Sequence, residues 1–357
     1  MNRLLVAVAG ALLVALPACK KEAPPPAEPP PAKPAPAAAA PAPAPAPGAQ
    51  KESDDVCVGA FNTPVKSTHE VNGQTYERVG HVLKRTSSDP DDQAVLGVIS
   101  DVKEDSPDNL KNIKSALEFF QAQKAEAILF LGDAAESQAA VTNVLKALAG
   151  SPLPVFAIMG NRESRAHWAA AMADAQKEAK NLFDFSQVRL FNSDDVSIIS
   201  LPGYYNPTYL HQQDGCRYFP SDVRDLAKLL AEATSTPLLI SHGPPRGEGP
   251  TALDRIHDDA NVGDPALREF LEKTPIPFGA FGNILESGGR ATDLTGKNVV
   301  PQDAWVGSLY LNVGPTDAVQ WQMLDGTTSE GMAGVLTIKG KQASYKIKRF
   351  GNPPARK

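Results

Sequence analysis

The stretch LGVISDVKED, residues 96–105, decides how the rest of the chain reads. An apolar run closes on Asp101, and Lys103 stands two positions further on. Side chains on extended backbone alternate between faces, so residues 101 and 103 point the same way. A strand that stops at an aspartate aims a carboxylate at whatever lies beyond the sheet edge. A lysine in the next equivalent position is foreign to a cation site and has to be explained.

Downstream, short apolar runs alternate with helical patterns. AVLGVIS (94–100), AILFLG (127–132), PVFAIMG (154–160), VSIISLPG (196–203), PLLISHG (237–243) and PFGAFGN (277–283) read as strands. Helices are expected between them, with Leu110, Ile113, Leu117 and Phe120 on one face of the first and Val141, Val144, Leu145 and Leu148 on one face of the second. Further helices are expected over 163–180, 221–233 and 264–273. SLYLNVG, GVLTIKG and ASYKIKRF, near the C-terminus, read as antiparallel strands with Gly-rich turns. Parallel units followed by strand-rich sequence give an α/β sandwich with functional residues at the strand C-terminal ends.

Those ends carry Asp101, Gly132-Asp133, Gly160-Asn161-Arg162-Glu163, His242-Gly243-Pro244 and Gly282-Asn283-Ile284-Leu285-Glu286. Asp, Asn and His are side chains a divalent transition metal accepts. Any one of them alone is more often a turn residue, a helix cap or a hydrogen-bonded core group. Their order is more specific. Over roughly residues 94–350 it resembles the calcineurin-like metallophosphoesterase family, whose pattern is Asp-x-His, Gly-Asp, Gly-Asn-His-Glu, a lone His, then Gly-His-x-His. The resemblance implies an αββα sandwich, two mixed sheets flanked by helices, and phosphoester hydrolysis by two metal ions bridged by the second aspartate.

Four positions depart from that pattern. Asp101, Asp133, Asn161 and His242 stand at ligand positions with the family's side chains. Lys103 replaces a first-metal histidine, Arg162 replaces the leaving-group histidine, and Asn283 and Leu285 replace both histidines of the last motif. A charged lysine has three donors and no lone pair, and it repels a nearby dication. The first site, left with Asp101 and Asp133, is expected to be lost. The second keeps Asp133, Asn161, His242 and the Asn283 carbonyl, enough to hold one Mn, Fe or Zn ion loosely; no metal at all is the alternative. Lys103 is expected to act as a metal-replacing cation paired with Asp101 and Asp133, and Arg162 to play a similar part near Asn161. Glu163, Arg165, Tyr204, Tyr205 and Arg290 are further candidates for lining the cleft.

The other end of the chain carries an address. MNRLLVAVAGALLVALPAC has Arg3, an apolar stretch from Leu4 to Ala18, and Cys19. It reads as a secretory signal over residues 1–18, and Leu-Pro-Ala-Cys resembles a bacterial lipobox that lipidates Cys19. Residues 19–51 hold twelve of the chain's 32 prolines and no core-forming pattern. As polyproline II, about 30 such residues reach about 90 Å. Lys20 after the cysteine points to the outer membrane, by resemblance to bacterial lipoproteins. Residues 52–93 give no clear structure. Cys57 and Cys216 remain, and in an oxidising compartment they form a disulfide or stay buried and reduced.

A formal charge of −6, from 35 basic and 41 acidic residues among 357, gives no reason to expect nucleic acid. The expected partners are a membrane, through the lipid, and a phosphate-bearing small molecule or an envelope protein. Three functions fit: a non-catalytic or slow phosphate-binding pseudoenzyme, which the lost bridge favours; a one-metal phosphoesterase acting on a periplasmic monoester or diester; and a structural envelope lipoprotein with a vestigial pocket.

Overall fold

The structure is a computed structural model that describes residues 57–351 apart from residues 62 and 89. The signal segment, Cys19 and the proline-rich tether lie outside the described residues.

Two large sheets face each other. One has six strands, in spatial order Gln342–Arg349, Met332–Lys339, Gln93–Ile99, Ala127–Phe130, Val155–Ala157 and Leu182–Asp184. The strands Gln93–Ile99, Ala127–Phe130, Val155–Ala157 and Leu182–Asp184 pair in parallel, and their C-terminal ends line up. The other sheet has ten strands and is mixed. Its centre is the parallel set Val196–Leu201, Thr236–Ser241, Phe278–Phe281 and Leu309–Asn312.

Alternation along these strands builds the layers. Leu96 and Val98 of one sheet, and Ile198, Leu238 and Ile240 of the other, share the core between the sheets. Val95 and Ile99, with Ile199 and Leu239, point outward into the apolar stripes of the helices. Helix Pro107–Ala122 packs on the six-stranded sheet, where Gly97 gives Phe120 room to lie against the strand. Helix Pro220–Glu232 covers the ten-stranded sheet. The layers are therefore α, β, β, α, the fold class expected.

Three details differ from the sequence expectation. Leu309–Asn312 is not purely antiparallel: it runs parallel to Phe278–Phe281 and antiparallel to Arg290–Thr292. An apolar run does not encode its own direction. The helix expected over 163–180 is Arg165–Gln176, capped by the Ser164 hydroxyl on the His167 amide. The segment that gave no clear structure forms a meander, Lys66–Val71, Gln74–Val79 and Val82–Arg85, which extends the ten-stranded sheet through Val82–Arg85 beside Leu190–Asn192. Cys57 and Cys216 do pair, with Cα atoms 5.2 Å apart. Buried Arg189, donating to the carbonyl oxygens of Gly59 and Ser200, ties the same segment to the body.

Candidate metal and anion site

The strand C-terminal ends of both sheets open on one cavity of about 550 Å³, lined by Asp101, Lys103, Asp133, Asn161 and Arg162 on its charged side. The backbone is bent into shape for it. Asp101, Lys103, Asp133 and Asn283 all have left-handed φ, at 54°, 70°, 61° and 62°. Side chains other than glycine rarely adopt that region, and such positions cluster at functional sites. Amide hydrogen bonds from Asp101 to the Gly132 oxygen (3.0 Å) and from Lys103 to the Asp133 oxygen (2.8 Å) hold the first two turns together. Gly160 and Gly282 are needed for close approach. A Cβ on Gly160 would collide with the Asp133 carboxylate and the His242 ring, and one on Gly282 with Ser100 and Asp101.

Within this frame the acceptors converge. Asp133 Oδ1 accepts the amides of Asn161 and Arg162, both at 3.0 Å, and lies 3.2 Å from His242 Nε2. Asp101 Oδ2 accepts the Asn283 amide at 2.9 Å, while its Oδ1 is buried without a hydrogen-bond partner. His242 donates from Nδ1 to the Leu131 carbonyl at 2.7 Å, which fixes the ring and turns Nε2 towards Asp133 and the Asn161 side-chain oxygen, the latter 2.7 Å away. One donor atom each from Asp101, Asp133 and His242 fall within 4.8 Å of one another. A buried carboxylate oxygen with nothing to bind, beside a second carboxylate and a fixed imidazole nitrogen, fits a divalent cation.

The electrostatics point the same way. Burial pushes the Asp101 carboxyl up, His242 and Lys103 oppose that, and Asp133 adds to it. Burial lowers His242, but the Asp133 and Asp101 carboxylates outweigh it and hold the imidazole above its ordinary value. Glu163 accepts the amides of Ala134 and Gly160 behind the site, tying two strand ends together. Burial and the neighbouring Asp133 push its carboxyl up to about 7.

Asp101 lies in one acceptor cluster with Asp133 and His242. One expectation needs correction. Lys103 is not ion-paired with Asp101 or Asp133. Its ammonium lies 3.3 Å from Asp317 Oδ2 and 4.0 Å from the centre of the Trp321 ring. The reason is local, because the left-handed turn carries the side chain past the two carboxylates towards the hairpin Trp321–Gln322/Thr328–Ser329.

The other candidates separate clearly. Arg162 is at the site, with Nε 3.5 Å from Asp133 Oδ2 and Nη1 3.0 Å from Glu136. Asn283 contributes its backbone amide to Asp101. Tyr204 lines the cavity. Tyr205 hydrogen-bonds the Val262 carbonyl at 2.8 Å, Arg165 is engaged with Asp214, and Arg290 binds the Ser287 carbonyl. Asp317 and Trp321 were not legible as site residues, since no motif marks them. They are placed by long-range bonds: the Asp317 amide to the Asp101 oxygen (3.0 Å), the Ala318 amide to buried Asn109 (2.8 Å), and Asn112 to the carbonyls of Thr316 and Glu330.

The calcineurin-like phosphoesterase profile matches residues 94–278, just over half of the chain. The chain belongs to the calcineurin-like phosphoesterase family. Similar solved structures include TT1561 of Thermus thermophilus (10% identity, 66% of this chain and 94% of that one, TM-score 0.48). A dimetal phosphatase from Danio rerio matches at 13% identity over 72% of this chain and 99% of its own, with TM-score 0.46. A purple acid phosphatase from yellow lupin seeds matches at 11% identity over 79% and 58%, with TM-score 0.41. No curated protein matches the sequence. Within this phosphoesterase, the cluster that could hold a metal is buried, and a protein cation stands beside it.

Proposed function

We propose that this calcineurin-like phosphoesterase is a lipid-anchored envelope protein that binds a phosphate ester in a one-metal pocket and does not hydrolyse it efficiently. The observation that carries the reading is the Lys103 ammonium, locked between Asp317 and Trp321 where the family pattern has a metal-binding histidine. With Leu285 at a second ligand position, the chain lacks the side chains for a bridged pair of ions. Asp101, Asp133 and His242, with the Asn161 oxygen, would hold one Mn²⁺, Fe²⁺ or Zn²⁺. Such an ion supplies Lewis-acid charge for a phosphoryl oxygen. The chain's own part is to orient and neutralise. Arg162 and Lys103 offer N–H donors at the cavity wall, and the Leu131 carbonyl keeps the His242 ring in one tautomer.

A one-metal hydrolase is the second reading, favoured by the grouping of Asp101, Asp133 and His242 acceptor atoms within 4.8 Å of one another, which would hold an ion beside a scissile phosphoryl group. The Cys57–Cys216 disulfide supports an oxidising compartment, in keeping with the proposed signal, lipidated Cys19 and outer-membrane anchoring. No described helix is long and apolar enough to cross a membrane. The test pairs calorimetric titration of the Mn²⁺-loaded chain with inorganic phosphate against turnover of an aryl phosphodiester. Binding without turnover is the expected result. Turnover abolished by both Asp133→Asn and His242→Ala would establish the hydrolase instead.

A further inference from the structure

The cavity is much larger than a phosphate group, and part of its wall is apolar. Ile256, Val262, Ile284, Leu285 and the Trp321 ring line it together with the charged residues. This wall is built, not incidental. Ile256 and Val262 lie on a loop closed by Asp254, which accepts the Gly263 amide and the Asn261 side chain, both at 2.8 Å. The Ile256 amide bonds the Ala260 carbonyl across the same loop at 3.0 Å, and the Val262 carbonyl is anchored by Tyr205. His257 bonds the Gln322 carbonyl at 2.9 Å, joining this loop to the Trp321 hairpin. The Leu324 amide bonds the Glu286 carbonyl at 2.9 Å, joining that hairpin to the turn that carries Leu285. Three segments are thus cross-tied around one mouth. Leu285, which takes a metal ligand away, adds an apolar face in its place.

Three carboxylates, Asp101, Asp133 and Glu286, line the cavity with two cations, Lys103 and Arg162. Both cations already hold carboxylate partners, Lys103 that of Asp317 and Arg162 those of Asp133 and Glu136. Selectivity among phosphate esters therefore falls to the apolar part of the wall. Resting on the one-metal reading above, we infer that the pocket selects a phosphate ester bearing at least one aromatic or other apolar substituent, seated against Ile256, Val262, Leu285 and Trp321. Inorganic phosphate and small monoesters fit the charged side but leave the apolar wall uncovered.

Calorimetry on the full chain loaded with Mn²⁺ tests this with three probes: inorganic phosphate, dimethyl phosphate and diphenyl phosphate. Diphenyl phosphate is expected to bind at least about tenfold more tightly than dimethyl phosphate, the factor given by burying roughly 60 Å² of apolar surface. Ile256→Ser, checked for folding by its thermal transition, should reduce that ratio several-fold. Equal affinity for the two diesters would overturn the inference while leaving a phosphate-binding pocket in place. Failure of all three probes to bind would overturn the one-metal reading with it.

Discussion

Replacing Lys103 with methionine keeps the stem over Trp321 and deletes the charge. Asp317 then loses its ion pair in a place where its side chain is 5% exposed and that of Lys103 is 9% exposed, so solvent does little to compensate. Breaking one partner of a buried pair costs about 3–5 kcal/mol, and a desolvated cation–π contact adds about 1–2 kcal/mol. Asp317 keeps the Val319 amide at 3.0 Å and the Trp321 ring N–H at 3.4 Å, which offsets part of this. The net expectation is about 2–4 kcal/mol of lost stability. For a body of about 300 residues, with unfolding entropy of about 2.1 cal/mol/K per residue, that lowers Tm by about 3–6 °C. Scanning calorimetry in the presence of a chelator reads it, and a double-mutant cycle with Asp317→Asn assigns it. The pair should show a coupling energy of about 2 kcal/mol, because the double variant no longer buries an uncompensated charge. Additivity within about 0.5 kcal/mol would refute the view that Lys103 is held by Asp317.

Three further outcomes follow from other parts of the molecule. Cys57→Ser with Cys216→Ser opens a cross-link spanning 159 residues, for which loop entropy gives an upper figure of about 5 kcal/mol; urea unfolding should show a loss of at least about 2 kcal/mol. Burial pushes the Asp264 carboxyl up from its ordinary value despite bonds from Tyr218 and Ala266. Its stabilising contribution is therefore present below the unfolded value and lost as pH rises through the folded one. Relative to Asp264→Asn, the wild type should lose stability with rising pH across that window, and a relative gain in urea titrations would contradict the assignment. Lys103→His combined with Leu285→His restores two ligands of the family pattern, and elemental analysis of the Mn²⁺-saturated variant should then find more metal than the parent chain holds.

Much of this was legible in the sequence, and the reason is physical. Apolar runs that stop at Asp101, Asp133, Asn161, His242 and Asn283 mark strand ends without any knowledge of the fold, and parallel pairing then brings the ends together. Residues 66–85 escaped notice because three short, largely polar strands carry too little periodicity. The disulfide depended on proximity between residues 57 and 216, which only the tertiary structure provides. Asp317 and Trp321 were invisible for a similar reason: they belong to no motif, and hydrogen bonds to Asp101, Asn109 and Asn112 deliver them to the site. The lysine at 103 was recognisable as foreign to a metal ligand set. Its partner was not, because the left-handed turn that redirects its side chain leaves no local signature.

The metal content of the chain tests the central claim most directly. The full chain, saturated with Mn²⁺ and freed of loosely held ions by gel filtration, is analysed by plasma mass spectrometry. The one-metal pocket predicts close to one ion per chain, and loss of most of it in both Asp133→Asn and His242→Ala. Two ions per chain, or none, would contradict it.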